Sequence, residues 1–305
     1  MTKIGIIGLG DIAEKAYLPV LSRKKVEVHL CSRNETRLQH LAEQYRFTNR
    51  HSSLESLVGS GITGAFVHTA TSSHFEIVEY LLNHNIHVYV DKPVTYDFAS
   101  TQKLLNLAEA KGLLLEVGFN RRFAPAYQNL KGMKDINMVI MQKNRKSLPG
   151  ETRVFVFDDF IHVIDTLLYL FPYPVKKIHV NGKKKEGLLV QVTVQMISEK
   201  GDTAIGIMNR DSGTIEEKVE VFSGKEKRIA YNLSEVVIYQ DQEEKKLKNN
   251  DWQPMLYTRG FEQMVDAFLE KVQIKESSVA HRLSALRTHE ICEEIVLQLS
   301  AVQSA

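Results

Sequence analysis

Over its first 120 residues the chain alternates between two periodicities, and that alternation restricts the fold more than any other feature. Short apolar runs at Lys3–Leu9, Ala65–His68, Ile86–Val90 and Leu113–Val117 have the continuous character of strands buried on both faces. Val26, Val28 and Leu30 alternate with Glu27 and His29 as a further strand. Between these runs, Glu35–Tyr45, Leu54–Val58, Phe75–Leu82 and Phe98–Ala110 read as helices. Asp11–Arg23 reads as another, with Pro19 forcing a kink or an early end. Strands joined by helices form right-handed βαβ units, so the expected fold class is α/β: a Rossmann-type, doubly wound parallel sheet.

Beyond Asn120 the pattern changes. Ile136–Lys143 reads as a strand and Asp158–Leu170 as a helix stopped by Phe171-Pro172-Tyr173-Pro174. From Val175 to about Lys248 come long strand candidates such as Leu189–Ile197, Ala204–Met208, Glu217–Phe222 and Glu235–Gln240. Short Gly, Asp or Lys turns separate them, as antiparallel connections allow. Helices at Gly260–Val272 and His281–Ser300 close the chain. The expectation is an α+β second domain with an open, mostly antiparallel sheet, and a division into residues 1–120 and 121–305.

Composition narrows the function classes. Of the 305 residues, 43% are hydrophobic and 25% charged, an ordinary soluble balance. A net charge of +2 with no basic face argues against a nucleic-acid partner. The one basic cluster, Lys183–Lys185, reads as a solvated hairpin tip. No run approaches the ~20 apolar residues of a membrane span, and the N-terminus lacks the apolar region and cleavage site of a signal peptide. Cys31 and Cys292 are too few and too distant for a disulfide framework or zinc site, so the expectation is two reduced thiols in the cytoplasm.

Gly8-Leu9-Gly10-Asp11-Ile12-Ala13 matches G-x-G-x-x-A between an apolar strand and a helix. The first glycine permits the tight turn, the second admits a pyrophosphate, and Ala13 allows close helix–sheet packing. The helix start presents free N–H groups to the anion, with Asp11 and Ile12 in its opening turn. After the second strand, where an NAD site places an acid for the ribose 2′-hydroxyl, stands Leu30-Cys31-Ser32-Arg33-Asn34. Ser32 can donate to a phosphate, and Arg33 can pair with it or stack on adenine; Arg37 is a second candidate. NADP(H) is therefore favoured, with NAD(H) as the alternative.

His87-Val88-Tyr89-Val90-Asp91-Lys92-Pro93 ends a buried strand at the sheet edge where α/β proteins bind ligands. Pro93 keeps Lys92 out of helical geometry. A lysine there can protonate a carbonyl as hydride arrives, or take the proton as an alcohol is oxidised.

Gly8-x-Gly10-x-x-Ala13, Asp91-Lys92-Pro93 and Gly118-Phe119-Asn120-Arg121-Arg122-Phe123, in that order, resemble the Gfo/Idh/MocA oxidoreductases, which include glucose–fructose oxidoreductase and inositol dehydrogenase. Within them the chain looks like the MviM-like oxidoreductases. The resemblance implies a Rossmann domain with NAD(P) at the glycine turn, an open-sheet substrate domain, and the Lys-Pro lysine as a catalytic residue, often preceding a cis proline. The family usually has Glu-Lys-Pro; here Asp91 is one methylene shorter.

Asp158, His162 and Asp165, spaced i, i+4 and i+7, share one face of an otherwise apolar helix. Asp158 and His162 resemble the family's Asp-x-x-x-His, which implies substrate hydroxyl binding for Asp158 and proton transfer or orientation for His162. Phe160 stands where the family commonly has glycine, so the pocket is expected to be narrower or more aromatic. Thr69-Ala70-Thr71-Ser72-Ser73-His74 follows a strand and opens a helix, a position suited to cofactor contacts from Thr69, Ala70, Thr71 and His74. Asn120 follows the sixth strand and is expected to contact cofactor and substrate; Arg122 either holds an anionic or hydroxylated substrate or forms a salt bridge at the domain junction. Trp252 and Tyr257 are expected in the core or lining the substrate pocket. The open sheet and the resemblance imply a homodimer or homotetramer. The whole reads as an NADP-preferring dehydrogenase or reductase acting on a small sugar, polyol or related carbonyl compound, with no metal. The rival is a dinucleotide-binding sensor or partner protein without turnover.

Overall fold

The computed structural model describes residues 1–248, 250–274 and 279–301, and the chain divides into two units. The first holds a six-stranded parallel sheet: β1 (Lys3–Ile7), β2 (Glu27–Cys31), β3 (Asn49–His51), β4 (Gly64–Val67), β5 (His87–Val90) and β6 (Leu115–Val117). Their order, β3-β2-β1-β4-β5-β6, is the doubly wound arrangement expected from the alternation. From β1 the chain winds outward through β2 and β3, then returns to pair β4 with the other side of β1. The direction of winding thus reverses between β1 and β4, and the crevice beyond their carboxyl ends is where such sheets take ligands. Apart from an edge residue, β1, β4 and β5 are buried on both faces, which is why they read as continuous apolar runs; β2 is buried on both faces too, although its sequence alternates, because His29 is buried.

Local capping follows the sequence closely. Asn34 Oδ1 accepts the Arg37 N–H at 3.0 Å and starts the Glu35–Tyr45 helix. Asp97 does the same for Phe98–Ala110 through the Ser100 N–H, and Ser53 for Leu54–Gly59 through the Ser56 N–H. The helix after the glycine turn has a π-helical stretch, Ala13–Tyr17, running into Leu18–Leu21, and it ends two residues short of the expected Arg23.

The first unit is not continuous in sequence. It comprises Met1–Gly118 together with Phe261–Leu286, so the expected boundary at residue 120 misplaces this late segment. The cause is packing. Met264, Val265, Phe268, Leu269 and Val272 line one side of the Phe261–Ile274 helix and are buried. The Phe268 ring lies 4.9 Å from Phe66 of β4. The Tyr89 hydroxyl of β5 donates to Met264 Sδ at 2.9 Å.

The second unit, Phe119–Gly260 with the chain from Arg287 on, carries β7 (Ile136–Asn144), β8 (Val175–Lys185), β9 (Leu188–Ser198), β10 (Thr203–Asn209), β11 (Glu216–Ser223), β12 (Glu226–Tyr231), β13 (Glu235–Gln240) and β14 (Glu243–Lys248). They form one sheet in the order β14-β13-β12-β11-β7-β10-β9-β8. All neighbours are antiparallel except β7 and β10, as the sequence led one to expect of this α+β half. The Ile161–Leu170 helix packs across β7 and β10. Gly206 of β10 makes room for it: a Cβ there would lie 2.9 Å from Val163 and 3.0 Å from Leu167. Lys183–Lys185 form the end of β8 rather than a hairpin tip; the turn itself is Glu186-Gly187, with φ of 53° and 80°.

Candidate active site

The glycine turn sits at the switch point of the parallel sheet. Gly8 follows β1 with φ 86°, a conformation that favours glycine. A Cβ at Gly8 would lie 2.7 Å from both the His68 carbonyl carbon and the Thr69 nitrogen, so the turn presses directly on the backbone after β4. A Cβ at Gly10 would meet only the His68 carbonyl oxygen, at 4.0 Å; the Gly10 carbonyl receives the first helical bond from the Glu14 N–H at 3.1 Å, and Ala13 is fully buried. A cavity of about 660 Å3 opens here, within the roughly 300–1,000 Å3 of small-molecule and cofactor clefts. Gly8, Gly10, Ser32, Arg33, Thr69 and Ala70 line it. Bare backbone at the glycines, N–H groups at a helix start and a volume of this size fit a dinucleotide's pyrophosphate and adenosine.

Not every expected contact reaches this cavity. Asp11 faces solvent in an ion pair with Lys15 at 2.7 Å. Ile12 is an exposed apolar side chain, and Thr71 lies outside the lining. Arg37 is held by the Leu9 carbonyl and by Glu14 at 2.7 Å, so it braces the turn instead of facing a phosphate. Arg33, by contrast, is exposed at the cavity wall, and Ser32 accepts the Asn34 N–H at 3.2 Å while keeping its own proton to donate. Sequence reasoning missed Glu55, an acid from the helix after β3 that lines the same cavity. Hydrogen bonds from its own backbone and from Ser53 hold its carboxyl below the usual range.

Lys92 follows β5, half-buried, with its N–H donating to Asp91 Oδ1 at 2.9 Å, and the Lys92–Pro93 peptide is cis. Burial pushes the Asp91 carboxyl up, with the charge of Lys92 the main opposing influence. His74 is buried with each ring nitrogen 3.0 Å from a carbonyl oxygen, one of Thr69 and the other of Pro93. It clamps the segments after β4 and β5 together, and so supports Lys92-Pro93 through the backbone rather than as a wall of the cavity. His68, read only as a strand residue, packs on Tyr17 with ring centres 3.8 Å apart and the planes tilted by 36°. Burial, then the nearby His74, lowers it to about 3, so it is neutral beside the turn.

In the second unit the structure breaks up the expected polar stripe. Asp158 lies half-buried in a π-helical turn, Val156–Phe160, that precedes the Ile161–Leu170 helix. His162 is half-buried, and its Nδ1 accepts from Arg121 Nη1 at 2.8 Å. An arginine only donates, so the His162 proton resides on Nε2. Asp165 is buried and engaged by Arg122, through Nε at 3.0 Å and also Nη2, and by the Thr288 hydroxyl at 3.2 Å. Arg122 is therefore in a salt bridge, but with a partner inside its own unit and not at the domain junction where one was expected. Asn120 is also committed: its Nδ2 donates to the Arg259 carbonyl at 2.9 Å. Phe160 is fully buried, and Trp252 is 92% exposed, so it neither packs in a core nor lines a pocket. Tyr257 is partly exposed and lines neither the glycine-turn cavity nor the second unit's small one.

Beneath His162 lies a charge network that the sequence did not reveal. Arg121 makes a two-pronged pair with Glu217, at 2.8 and 2.6 Å, and the Tyr127 hydroxyl donates to the same carboxylate at 2.6 Å. Burial works against the charge of Glu217, but Arg121 holds its pKa down to about 2. Asp159, beside the expected Asp158, accepts from Lys143 and Arg145 and pairs with Arg210. Its own burial opposes ionisation, yet Lys143 and Arg145 hold it well below the carboxylate range.

Comparison with known proteins agrees with this arrangement. Residues 2–119 match the model of an oxidoreductase family with an NAD-binding Rossmann fold (GFO_IDH_MocA), and residues 125–243 match a YceM-like C-terminal domain. A Gfo/Idh/MocA family oxidoreductase from Vibrio cholerae superposes with a TM-score of 0.94 at 31% identity, covering 100% of both chains. The dehydrogenase MviM of Clostridium difficile superposes with a TM-score of 0.92 at 29% identity, covering 97% of this chain and 99% of its own. An oxidoreductase of Salmonella typhimurium, YceM, is 39% identical over 175 residues, 55% of this chain, and the match spans only 56% of that relative's length.

Proposed function

Because the chain belongs to the Gfo/Idh/MocA family of oxidoreductases, we propose that it interconverts a small polyhydroxy compound, such as a sugar or inositol, and its carbonyl counterpart, using NADP(H) by preference. The observation that carries this reading is the glycine turn at the switch point, opening onto a cavity walled by Ser32 and Arg33. A nicotinamide, when bound, supplies or removes the hydride. Gly8 and Gly10 receive the pyrophosphate, and Ser32 and Arg33 hold the 2′-phosphate of the adenosine ribose. Lys92 protonates the substrate oxygen as the carbonyl is reduced and takes the proton back as the alcohol is oxidised. Asp158 accepts a hydrogen bond from a substrate hydroxyl. His162, with its proton on Nε2, donates to a substrate oxygen, and Arg121 fixes that tautomer. Pairing of the open sheet with a second copy belongs to the same reading.

Glu55 favours a second reading of the cofactor. A carboxylate on the cavity wall is the group that would accept a ribose 2′-hydroxyl, which selects NAD(H). The test is the binding of NADPH and NADH by nicotinamide fluorescence, followed by absorbance at 340 nm against sugars, inositols and carbonyl compounds. Lys92→Ala is expected to cut turnover by about a hundred- to ten-thousandfold while nucleotide binding persists. Full activity in that variant removes Lys92 from the mechanism. An inert wild-type protein that binds NADPH tightly points to a sensor instead, and one that binds neither nucleotide overturns the proposal.

A further inference from the structure

A second cavity, of about 110 Å3, lies wholly within the second unit against the ends of β7 and β11. Arg121, Lys143, Arg145 and Arg259 line it together with Glu216 and Glu217. Lys143 and Glu217 are register partners, so their side chains leave the sheet on the same face. Arg121 and Glu217 balance one another. The single carboxylate of Asp159 must serve Lys143, Arg145 and Arg210. Glu216 is already engaged by the amides of Gln142 and Asn144. Arg259, exposed at the rim, makes no side-chain ion pair among the described residues. Five cations therefore face three carboxylates, an excess of two positive charges with Lys143 protonated.

Such an excess is costly where water is scarce, because like charges in a low-dielectric site repel strongly. Lys143, 2% exposed, lies at the base of this cluster: its own burial first, and the neighbouring Arg121 second, push its ammonium down to about 7 against the pull of Asp159. Arg210 likewise keeps a buried Nε without a hydrogen-bond partner among the described residues. Guanidinium groups converging on a small cavity with cations to spare are the arrangement that receives an oxyanion.

We propose that this cavity is an oxyanion subsite that takes the carboxylate or phosphate group of a small substrate, so that the compound turned over is an acidic or phosphorylated polyhydroxy compound rather than a neutral one. The assignment of the ligand as a substrate rests on the oxidoreductase reading above; the anion site itself does not. Arg145 and Arg259 would reach the anion from the rim, and Lys143 would meet it at the base.

The test is calorimetric titration of the full chain with inorganic phosphate and, separately, with gluconate, in a weakly coordinating buffer at low ionic strength. Wild-type protein is expected to bind at least one of them, and Arg145→Gln/Arg259→Gln to bind it about tenfold more weakly or worse, with NADPH affinity unchanged. The single Arg259→Gln variant, altered only at an exposed side chain, is expected to weaken binding in the same direction and guards against a fold defect in the double variant. Binding of phosphate alone assigns a phosphorylated substrate, and of gluconate alone a carboxylated one; either upholds the subsite. Absence of binding to both overturns it, as does undiminished affinity in the double variant, which would put the anion elsewhere, such as at the pyrophosphate turn. Anion binding without NADPH binding overturns the oxidoreductase reading but leaves the subsite standing. NADPH binding without anion binding does the reverse.

Discussion

At Glu217 one carboxylate accepts from the Arg121 Nε and Nη2 and from the Tyr127 hydroxyl, with 8% of the residue exposed. Its pKa falls from 4.5 to about 2 in the folded chain. A depressed carboxylate stabilises the fold above its unfolded value and loses that contribution as pH falls through its folded one. Between about pH 4.5 and pH 2 the wild type is expected to lose about 3 kcal/mol from this group, and Glu217→Gln to show a shallower acid slope in denaturant titrations. At pH 7 the same variant leaves Arg121 buried and uncompensated, and a loss of about 3–5 kcal/mol is expected. Arg33→Ala carries the cofactor prediction: NADPH is expected to bind about ten- to a hundredfold more weakly, with NADH little changed. At this scale the sequence was readable where a residue's conformation is set by its chain neighbours, as at Gly8 with its φ of 86°. It was opaque where a charged side chain is claimed by a partner far along the chain. Arg37 was read as a phosphate ligand and turned out to brace Leu9 and Glu14; Arg121 was named only within a motif, and its partner Glu217 stands 96 positions away.

Elements were more legible than residues because their signals are local. The helices starting at Glu35, Leu54 and Phe98 begin where the sequence placed them, and the structure shows Asn34, Ser53 and Asp97 capping them. β3 escaped because its three polar residues, Asn49–His51, two half-buried and one exposed, carry neither an apolar run nor an apolar alternation. The π-helical turn Val156–Phe160 escaped too, since an extra residue per turn leaves no periodic mark in so short a stretch, and it separates the roles of Asp158 and Asp159. The strand–turn–helix at the N-terminus supplies the prediction for this scale. Gly8→Ala places a methyl 2.7 Å from the backbone of His68 and Thr69 at a φ of 86°. About 1–3 kcal/mol of strain is expected, together with loss of nucleotide binding, measured by thermal melts and fluorescence titration.

For the whole molecule, the alternation of the first 120 residues announced the parallel sheet, and the strand-rich remainder announced the antiparallel one. The division between them was not legible, because an amphipathic helix does not declare which sheet its apolar side will cover. Phe261–Ile274 buries Met264, Val265, Phe268, Leu269 and Val272 in the first unit. At about 1.5–3 kcal/mol for each large side chain, this contributes on the order of 10 kcal/mol, comparable with the entire stability of an ordinary domain. A fragment of residues 1–118 is therefore expected to melt without a cooperative transition in circular dichroism, and supplying residues 261–286 in trans or by fusion to restore one. A sharp transition in the fragment alone would contradict the packing account.

The same interruption has a consequence for biosynthesis. The ribosome releases Phe66 and Tyr89 long before it reaches Phe268, so the nascent amino-terminal half leaves the exit tunnel with a hydrophobic flank uncovered. Completion of that half waits on the last seventh of translation, and in the interval it is a natural client for chaperones that shield apolar surface.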